Sequence, residues 1–215
     1  MTLVIKQECT RYYFCFIKHT IMNPNIDTKL SYSQYRELVA ELVENKSTTG
    51  NDTSEALVNY TMLNDRRMKR WDKTVKISEE DQARIKSFKG NVTWVVLTES
   101  WCGDAAHVVP VLNKIAELND GIELQLVFRD ENEELMNQYL TNGAKSIPKL
   151  IMTDNVTQKV VDTYGPRPSE ATKLVNDFKA KHGTLSAEFK EDLQRWYNQD
   201  KGKTVIKDVL QLLGV

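Results

Sequence analysis

The chain has 215 residues, of which 40% are hydrophobic and 27% are charged, as in an ordinary globular protein. Its 29 Lys and Arg residues nearly balance its 30 Asp and Glu residues, so no overall field attracts it to nucleic acid or acidic lipid. Three cysteines are too few, and odd in number, for a disulfide framework. Cys9 and Cys15 are separated by five residues, more than is usual for a pair of zinc-binding cysteines, which argues against a metal site.

Residues 1–28 show neither a helical nor a strand period, and we predict a poorly ordered N-terminal extension there. Met22 opens a segment that would suit a natural start of the protein. The apolar run at residues 12–17 is far too short to cross a bilayer, and it lacks the cleavage pattern of a secretory signal. We therefore expect a cytoplasmic protein without a membrane partner.

Residues 29–90 are predicted to be helical. Ser31 and Gln34 form a capping-box pair at the start of a first helix, and a second helix should begin near Thr53. A short third helix should follow Ser78, with Asp81 as its capping partner.

The second predicted helix contains a basic cluster. Its members could contact phosphate groups, but Met68 lies among them and Trp71 follows them at the spacing of a buried stripe. A solvated helix face is therefore the favoured interpretation of the cluster. The four basic residues are Arg66, Arg67, Lys69 and Arg70.

A change of pattern at residue 92 marks the beginning of an α/β region. Residues 92–97 form an apolar run typical of a strand buried on both faces. The order that follows is a helix over 102–118, a strand over 122–128, a helix over 133–140 and a hairpin of two strands over 149–154 and 158–164. This order predicts a small mixed sheet with one parallel crossover and one antiparallel hairpin.

Three helices are predicted in the C-terminal part of the chain. Ser169 is expected to cap the first of them, and Gly183 to end it. The other two carry apolar stripes, which consist of Phe189, Leu193, Trp196 and Tyr197 in one helix and Ile206, Val209, Leu210 and Leu213 in the other.

Four sequence features of the α/β region together resemble the thioredoxin family. The triplet Trp101-Cys102-Gly103 follows the buried strand, and Pro110 lies eight residues after the cysteine. Pro148, in the sequence SIPKL, and Gly165, after the second hairpin strand, stand where this family has a cis-proline and a glycine. The segments ESWCGD, GPRP and LQRWYNQDKG look more narrowly like a bacterial group with helical extensions, some of whose members lack the second cysteine.

The resemblance implies an α/β thioredoxin-like fold with a mixed sheet in the order β-α-β-α-β-β-α. It covers residues 91–182, so the helical region at 29–90 and a C-terminal extension at 183–215 are additions to that fold. The family fold also implies that a cis peptide between Ile147 and Pro148 exposes backbone groups that pair with an extended substrate segment.

The residues around Cys102 are suited to thiol chemistry. A cysteine at the start of a helix has its thiolate stabilised by free backbone N–H groups and the helix dipole. Trp101 would place a flat apolar wall beside the sulfur, and Gly103 allows a partner backbone to approach closely.

Three departures from the thioredoxin pattern count against a full redox cycle. Ala105 stands where a second, resolving cysteine would be, and Val96 replaces the buried acid of thioredoxins. Asp104 suits a helix N-terminus, where we interpret it as a capping residue, but its charge should also modulate Cys102 by opposing thiolate formation. His107 is rotated away from Cys102 on the predicted helix and is interpreted as a surface or packing residue.

Two functions remain open at this point. In the leading hypothesis, Cys102 is the catalytic residue of monothiol exchange with a protein disulfide or a low-molecular-weight thiol. An external thiol then resolves the mixed disulfide, and no cofactor is needed. In the alternative, a redox-inactive module binds a partner peptide at a groove between Trp101 and Pro148. A glutathione-dependent transferase is less well supported, because the tail after Gly183 is too short for its helical domain.

Overall fold

A computed structural model of the chain describes residues 28–215. The extension predicted for residues 1–28 therefore lies outside the described residues, except for its last position. In the described part, no helix is both long and apolar enough to cross a membrane. Residues 28–215 also contain no cluster of three or more potential metal-ligating side chains.

A four-stranded mixed sheet forms the centre of the molecule, and it confirms the predicted α/β order. The strand order is β2-β1-β3-β4; β1 pairs parallel with β2, whereas β1 and β4 both pair antiparallel with β3. The strands are β1 (Val92–Thr98), β2 (Ile122–Phe128), β3 (Lys149–Asp154) and β4 (Val160–Tyr164). Because β1 lies inside the sheet, nearly all its residues are buried, which explains its continuous apolar sequence.

Three helices precede the sheet, as the sequence predicts. They are α1 (Tyr32–Glu44), α2 (Glu55–Thr74) and α3 (Glu79–Ser87). The capping box of Ser31 and Gln34 is present, and the Ser78 hydroxyl accepts a hydrogen bond from the backbone N–H of Asp81. Arg36 joins α1 to α2 through ion pairs with Asp65 and Asp72.

The helix after β1 is shorter than predicted at both ends. It is α4 (Ala105–Ala116), whereas the sequence predicted 102–118. The backbone N–H of Cys102 donates to the carbonyl of Glu99 at 3.1 Å, so Cys102 lies in a separate turn just before the helix. Pro110 lies inside this helix, at the position that the resemblance assigned to it. The next helix, α5 (Glu133–Gln138), is short.

Three helices follow the sheet: α6 (Ser169–His182), α7 (Ala187–Asp200) and α8 (Lys203–Leu213). The prediction that Ser169 caps α6 was wrong, because Pro168 occupies the N-cap and Ser169 is the first helical residue. The Ser169 hydroxyl instead donates to Asp208 of α8 at 2.7 Å, which holds the two helices together. Gly183 ends α6 with a positive φ of 76°, as expected.

The last helix belongs to the main hydrophobic core. Its buried side chains lie in the same cluster as those of β1 and α4, and Gly202 in the turn before it has a φ of 79°. A Cβ atom on Gly202 would lie 2.9 Å from a methyl group of Val111, so the turn can pack closely onto α4 only with glycine there. The buried residues of α8 are Thr204, Val205, Ile206, Val209, Leu210 and Leu213.

We expect Leu210→Ala to lower the free energy of unfolding of the whole chain by about 2–5 kcal/mol, because it leaves a cavity where the side chain is only 1% exposed. Urea denaturation followed by circular dichroism should still show a single transition. Leu174→Ala, at a position that is 40% exposed, is the matched control and should change the free energy by less than about 0.5 kcal/mol. If α8 unfolded at a lower urea concentration while the rest of the chain kept its original transition, α8 would not share the core.

Candidate functional site

The predicted site residues converge where β1 ends and α4 begins. Cys102 lies in the turn between these elements, and Ile147 and Pro148 precede β3, which pairs with β1. The peptide bond between Ile147 and Pro148 is cis. The Cys102 thiol donates to the Ile147 carbonyl oxygen at an Sγ–O distance of 3.3 Å, so the cysteine and the proline segment are in direct contact.

Trp101 and Gly103 are the partly exposed members of the motif Trp101-Cys102-Gly103. The guanidinium of Arg129 lies over the ring of Trp101, 4.9 Å from the ring centroid, in a cation–π contact. Cys102, Ile147 and Pro148 are all buried, and the Cys102 residue is only 8% exposed. The predicted groove is therefore largely closed by the protein's own atoms.

The environment of Cys102 favours its protonated form. Burial, and then the charge of Asp104, raise the pKa of the Cys102 thiol to about 12. The Ala105 N–H, 3.5 Å from Sγ, and Arg167 act in the opposite direction but do not outweigh burial. The sequence indicated that the helix start would lower the pKa of Cys102 and that Asp104 would raise it. In the structure the raising influences are larger, so the thiol is neutral.

Asp104 is tied to two segments that are distant in sequence. It occupies the N-cap position of α4, but its side chain makes no capping hydrogen bond, so the capping interpretation was wrong. Its carboxylate forms an ion pair with Arg167 at 2.6 Å and accepts a hydrogen bond from the Tyr197 hydroxyl at 2.9 Å. Burial raises the pKa of Asp104, and the charge of Arg167 is the largest opposing influence.

A search with known family models supplies the identification. The model described as Thioredoxin matches residues 50–180, which is more than half of the chain. The chain belongs to the thioredoxin family. The matched range includes α2 and α3 as well as the sheet. It therefore begins further towards the N-terminus than residues 91–182, the range that the sequence motifs indicated.

Two solved structures share the fold of this thioredoxin-family protein. A protein of unknown function from Pseudomonas aeruginosa is 16% identical, with a TM-score of 0.56, and the match covers 86% of this chain and 98% of that one. An HIV epitope-scaffold is 17% identical, with a TM-score of 0.55, and the match covers 81% of this chain and 96% of that one. At these identities the similarity shows the fold alone.

Sequence reasoning missed a buried acid in this thioredoxin-family site. Val96 indeed carries no charge, but Glu99, at the end of β1, is fully buried. One carboxylate oxygen accepts the Asp130 N–H at 2.9 Å, and the other has no hydrogen-bond partner among the described residues. Burial is the main cause that raises the pKa of Glu99. An acid directly after the apolar run was the sequence signal for it.

His107 is a packing residue, as one of the two predicted interpretations held. Its Nδ1 accepts the indole N–H of Trp71 at 2.8 Å, so Nε2 carries the proton and donates to Gln194 at 2.7 Å. Its ring stacks on Tyr197 with centroids 4.3 Å apart. Burial lowers the pKa of His107 to about 3, which keeps the ring neutral.

We expect Asp104→Asn to lower the pKa of the Cys102 thiol from about 12, because the variant removes the negative charge that opposes the thiolate. The measurement is the pH dependence of iodoacetamide alkylation in a background where Cys9 and Cys15 are serine. Asp177→Asn, on the exposed face of α6, is the control and should leave the pH profile unchanged. An unchanged profile in Asp104→Asn would contradict the role of this carboxylate.

We expect Glu99→Gln to make the free energy of unfolding less dependent on pH. The raised pKa of Glu99 means that the folded state retains this proton to a higher pH than the unfolded chain. The stability of the natural protein should therefore fall as the pH rises above about 4.3, the ordinary Glu value. Urea titrations at pH 5 and pH 8 measure the slope, and the exposed Glu37→Gln is the control. An equally steep slope in Glu99→Gln would refute the assignment.

Proposed function

We propose that this thioredoxin-family protein is a redox-inactive binding module that recognises an extended polypeptide segment at Trp101 and at the exposed residues 142–145. The observation that carries the proposal is the state of Cys102. Burial raises the pKa of the Cys102 thiol to about 12, so the neutral thiol predominates at pH 7, whereas the thiolate is the attacking species in exchange. Cys102 is also only 8% exposed, which restricts the approach of a disulfide to it.

The thiol has a structural role that explains its presence without redox chemistry. Its S–H group satisfies the Ile147 carbonyl at 3.3 Å in a position where both residues are buried. A buried carbonyl without a donor would cost about 1–3 kcal/mol, so a neutral thiol helps to hold the proline segment against α4.

The recognition surface that we propose consists of Trp101 and the exposed segment before Ile147. Residues 142–145 are exposed, and they lead into Ile147, whose carbonyl contacts Cys102, the residue next to Trp101. A partly exposed indole supplies a large apolar contact area at small entropic cost, which is why Trp is enriched at binding hot spots.

Monothiol exchange is the second candidate, and one observation favours it. The Ala105 N–H points to Sγ at 3.5 Å, and Arg167 neutralises Asp104, so an opened site would retain groups that support a thiolate. In that reaction the Cys102 thiolate attacks a disulfide, one S–S bond forms as another breaks, and the departing sulfur takes up the proton that Cys102 released. A low-molecular-weight thiol then reduces the mixed disulfide.

The two candidates predict opposite behaviour of Cys102 variants. Peptides selected from a random library should bind the natural protein and Cys102→Ser within about twofold, whereas Trp101→Ala should weaken them at least about tenfold. Tyr60→Ala, which removes an aromatic ring that is 49% exposed on α2, is the control and should not change binding. Binding would be measured by fluorescence anisotropy under reducing conditions. Loss of capture in Cys102→Ser, together with a mixed disulfide in the natural protein, would establish monothiol exchange instead.

A further inference from the structure

A cavity of about 230 Å³ lies between α2 and α7, above the His107 ring of α4. Three arginines of α2 line it, namely Arg66, Arg67 and Arg70, and Gln194 and Asn198 line it from α7. These are three of the four basic residues for which the sequence favoured a solvated face. The cavity is separate from the contact between Cys102 and Ile147.

The three arginines have no carboxylate partner among the described residues. Lys69, the fourth member of the basic cluster, forms an ion pair with Asp65 at 2.7 Å and does not line the cavity. Arg67 donates instead to the amide oxygen of Asn64 at 2.8 Å, and Arg70 to the amide oxygen of Asn198 at 2.5 Å. In the described part of the chain, no Asp or Glu lines the cavity either.

The polar side chains around the cavity have their acceptor atoms occupied. The Asn198 oxygen accepts from Arg70, and the Gln194 oxygen accepts the Nε2 proton of His107. The proton is on Nε2 because Nδ1 accepts from Trp71. The amide NH₂ groups of Gln194 and Asn198 therefore remain as donors beside three guanidinium groups.

Three guanidinium groups close together on one helix face repel each other. Burial, and then the charge of Arg70, lower the pKa of Arg67, so the like charges of this helix face repel each other. A negatively charged group in the cavity would relieve this repulsion and accept from several donors at once. Guanidinium groups are planar and donate in pairs, which matches the oxygen spacing of phosphate and carboxylate.

We propose that this cavity binds the phosphate group of a small phosphorylated molecule. Three cationic side chains from one helix suit a group that carries two negative charges, and the cavity volume admits a small molecule. A nucleic acid backbone fits less well, because the chain has a net charge of −1 and the arginines surround a cavity instead of following an extended stripe. The cavity lies next to the Cys102 motif, because a Cβ atom on Gly103 would be 3.5 Å from Arg67 Nη1, but phosphate binding there needs neither the thiol nor a bound peptide.

Isothermal titration calorimetry of the full chain with pyrophosphate, at constant ionic strength, tests the proposal. We expect saturable binding with one site, and at least about tenfold weaker binding in Arg70→Gln and in Arg66→Gln. Arg66 is exposed and forms no hydrogen bond or ion pair with the other described residues, so its variant should fold normally. Lys73→Gln removes an exposed charge from the same helix outside the cavity, and it should bind within about twofold of the natural protein.

Four outcomes would overturn the proposal. They are the absence of pyrophosphate binding, an equal loss of affinity in Lys73→Gln and Arg66→Gln, citrate binding as tight as pyrophosphate binding, and tighter binding of a single-stranded oligonucleotide. The second would mean non-specific attraction, the third a carboxylate site, and the fourth a nucleic acid surface. Thermal denaturation with and without pyrophosphate gives an independent readout, because a ligand that binds only the folded state raises the transition temperature.

Discussion

The buried carboxylate of Asp104 is the constraint on which the arrangement of the motif depends. A charge removed from water must be paired and hydrogen-bonded, and Asp104 obtains its partners from Arg167, just before α6, and from Tyr197 of α7. These contacts draw two later segments of the chain over the start of α4. The burial of the thiol itself is the main cause of the raised pKa of Cys102, and the charge of Asp104 is the second, so this carboxylate influences both the packing and the chemistry of the site.

The sequence predicted most elements well where the information was local. The capping box at Ser31, the bounds of β2 and the hairpin of β3 and β4 all depend on neighbouring residues, and the structure has them as expected. The thioredoxin-like fold followed from a motif and two prolines at fixed spacings, and the family match confirms it.

The interactions that decide reactivity could not be predicted in this way. Asp104 and Tyr197 are 93 positions apart, and a local pattern makes the aspartate a helix cap. The acceptor oxygens of Gln194 and Asn198 are occupied by His107 and Arg70, which no linear spacing reveals. Glu99 was missed because it looks like the first polar residue of a loop, whereas its carboxylate accepts from the Asp130 N–H and lies against Gly50, where a Cβ atom would be 3.5 Å from Oε2.

The contact between Tyr197 and Asp104 also has a consequence for biosynthesis. A ribosome delivers the motif long before it delivers α7 and α8, so a nascent chain that ends near residue 180 contains Cys102 without the hydroxyl that finally contacts Asp104. Until those last helices emerge, the Asp104 carboxylate lacks one of its two side-chain partners and depends on Arg167 alone. The motif therefore reaches its final hydrogen bonding only after the C-terminal helices have been translated and packed.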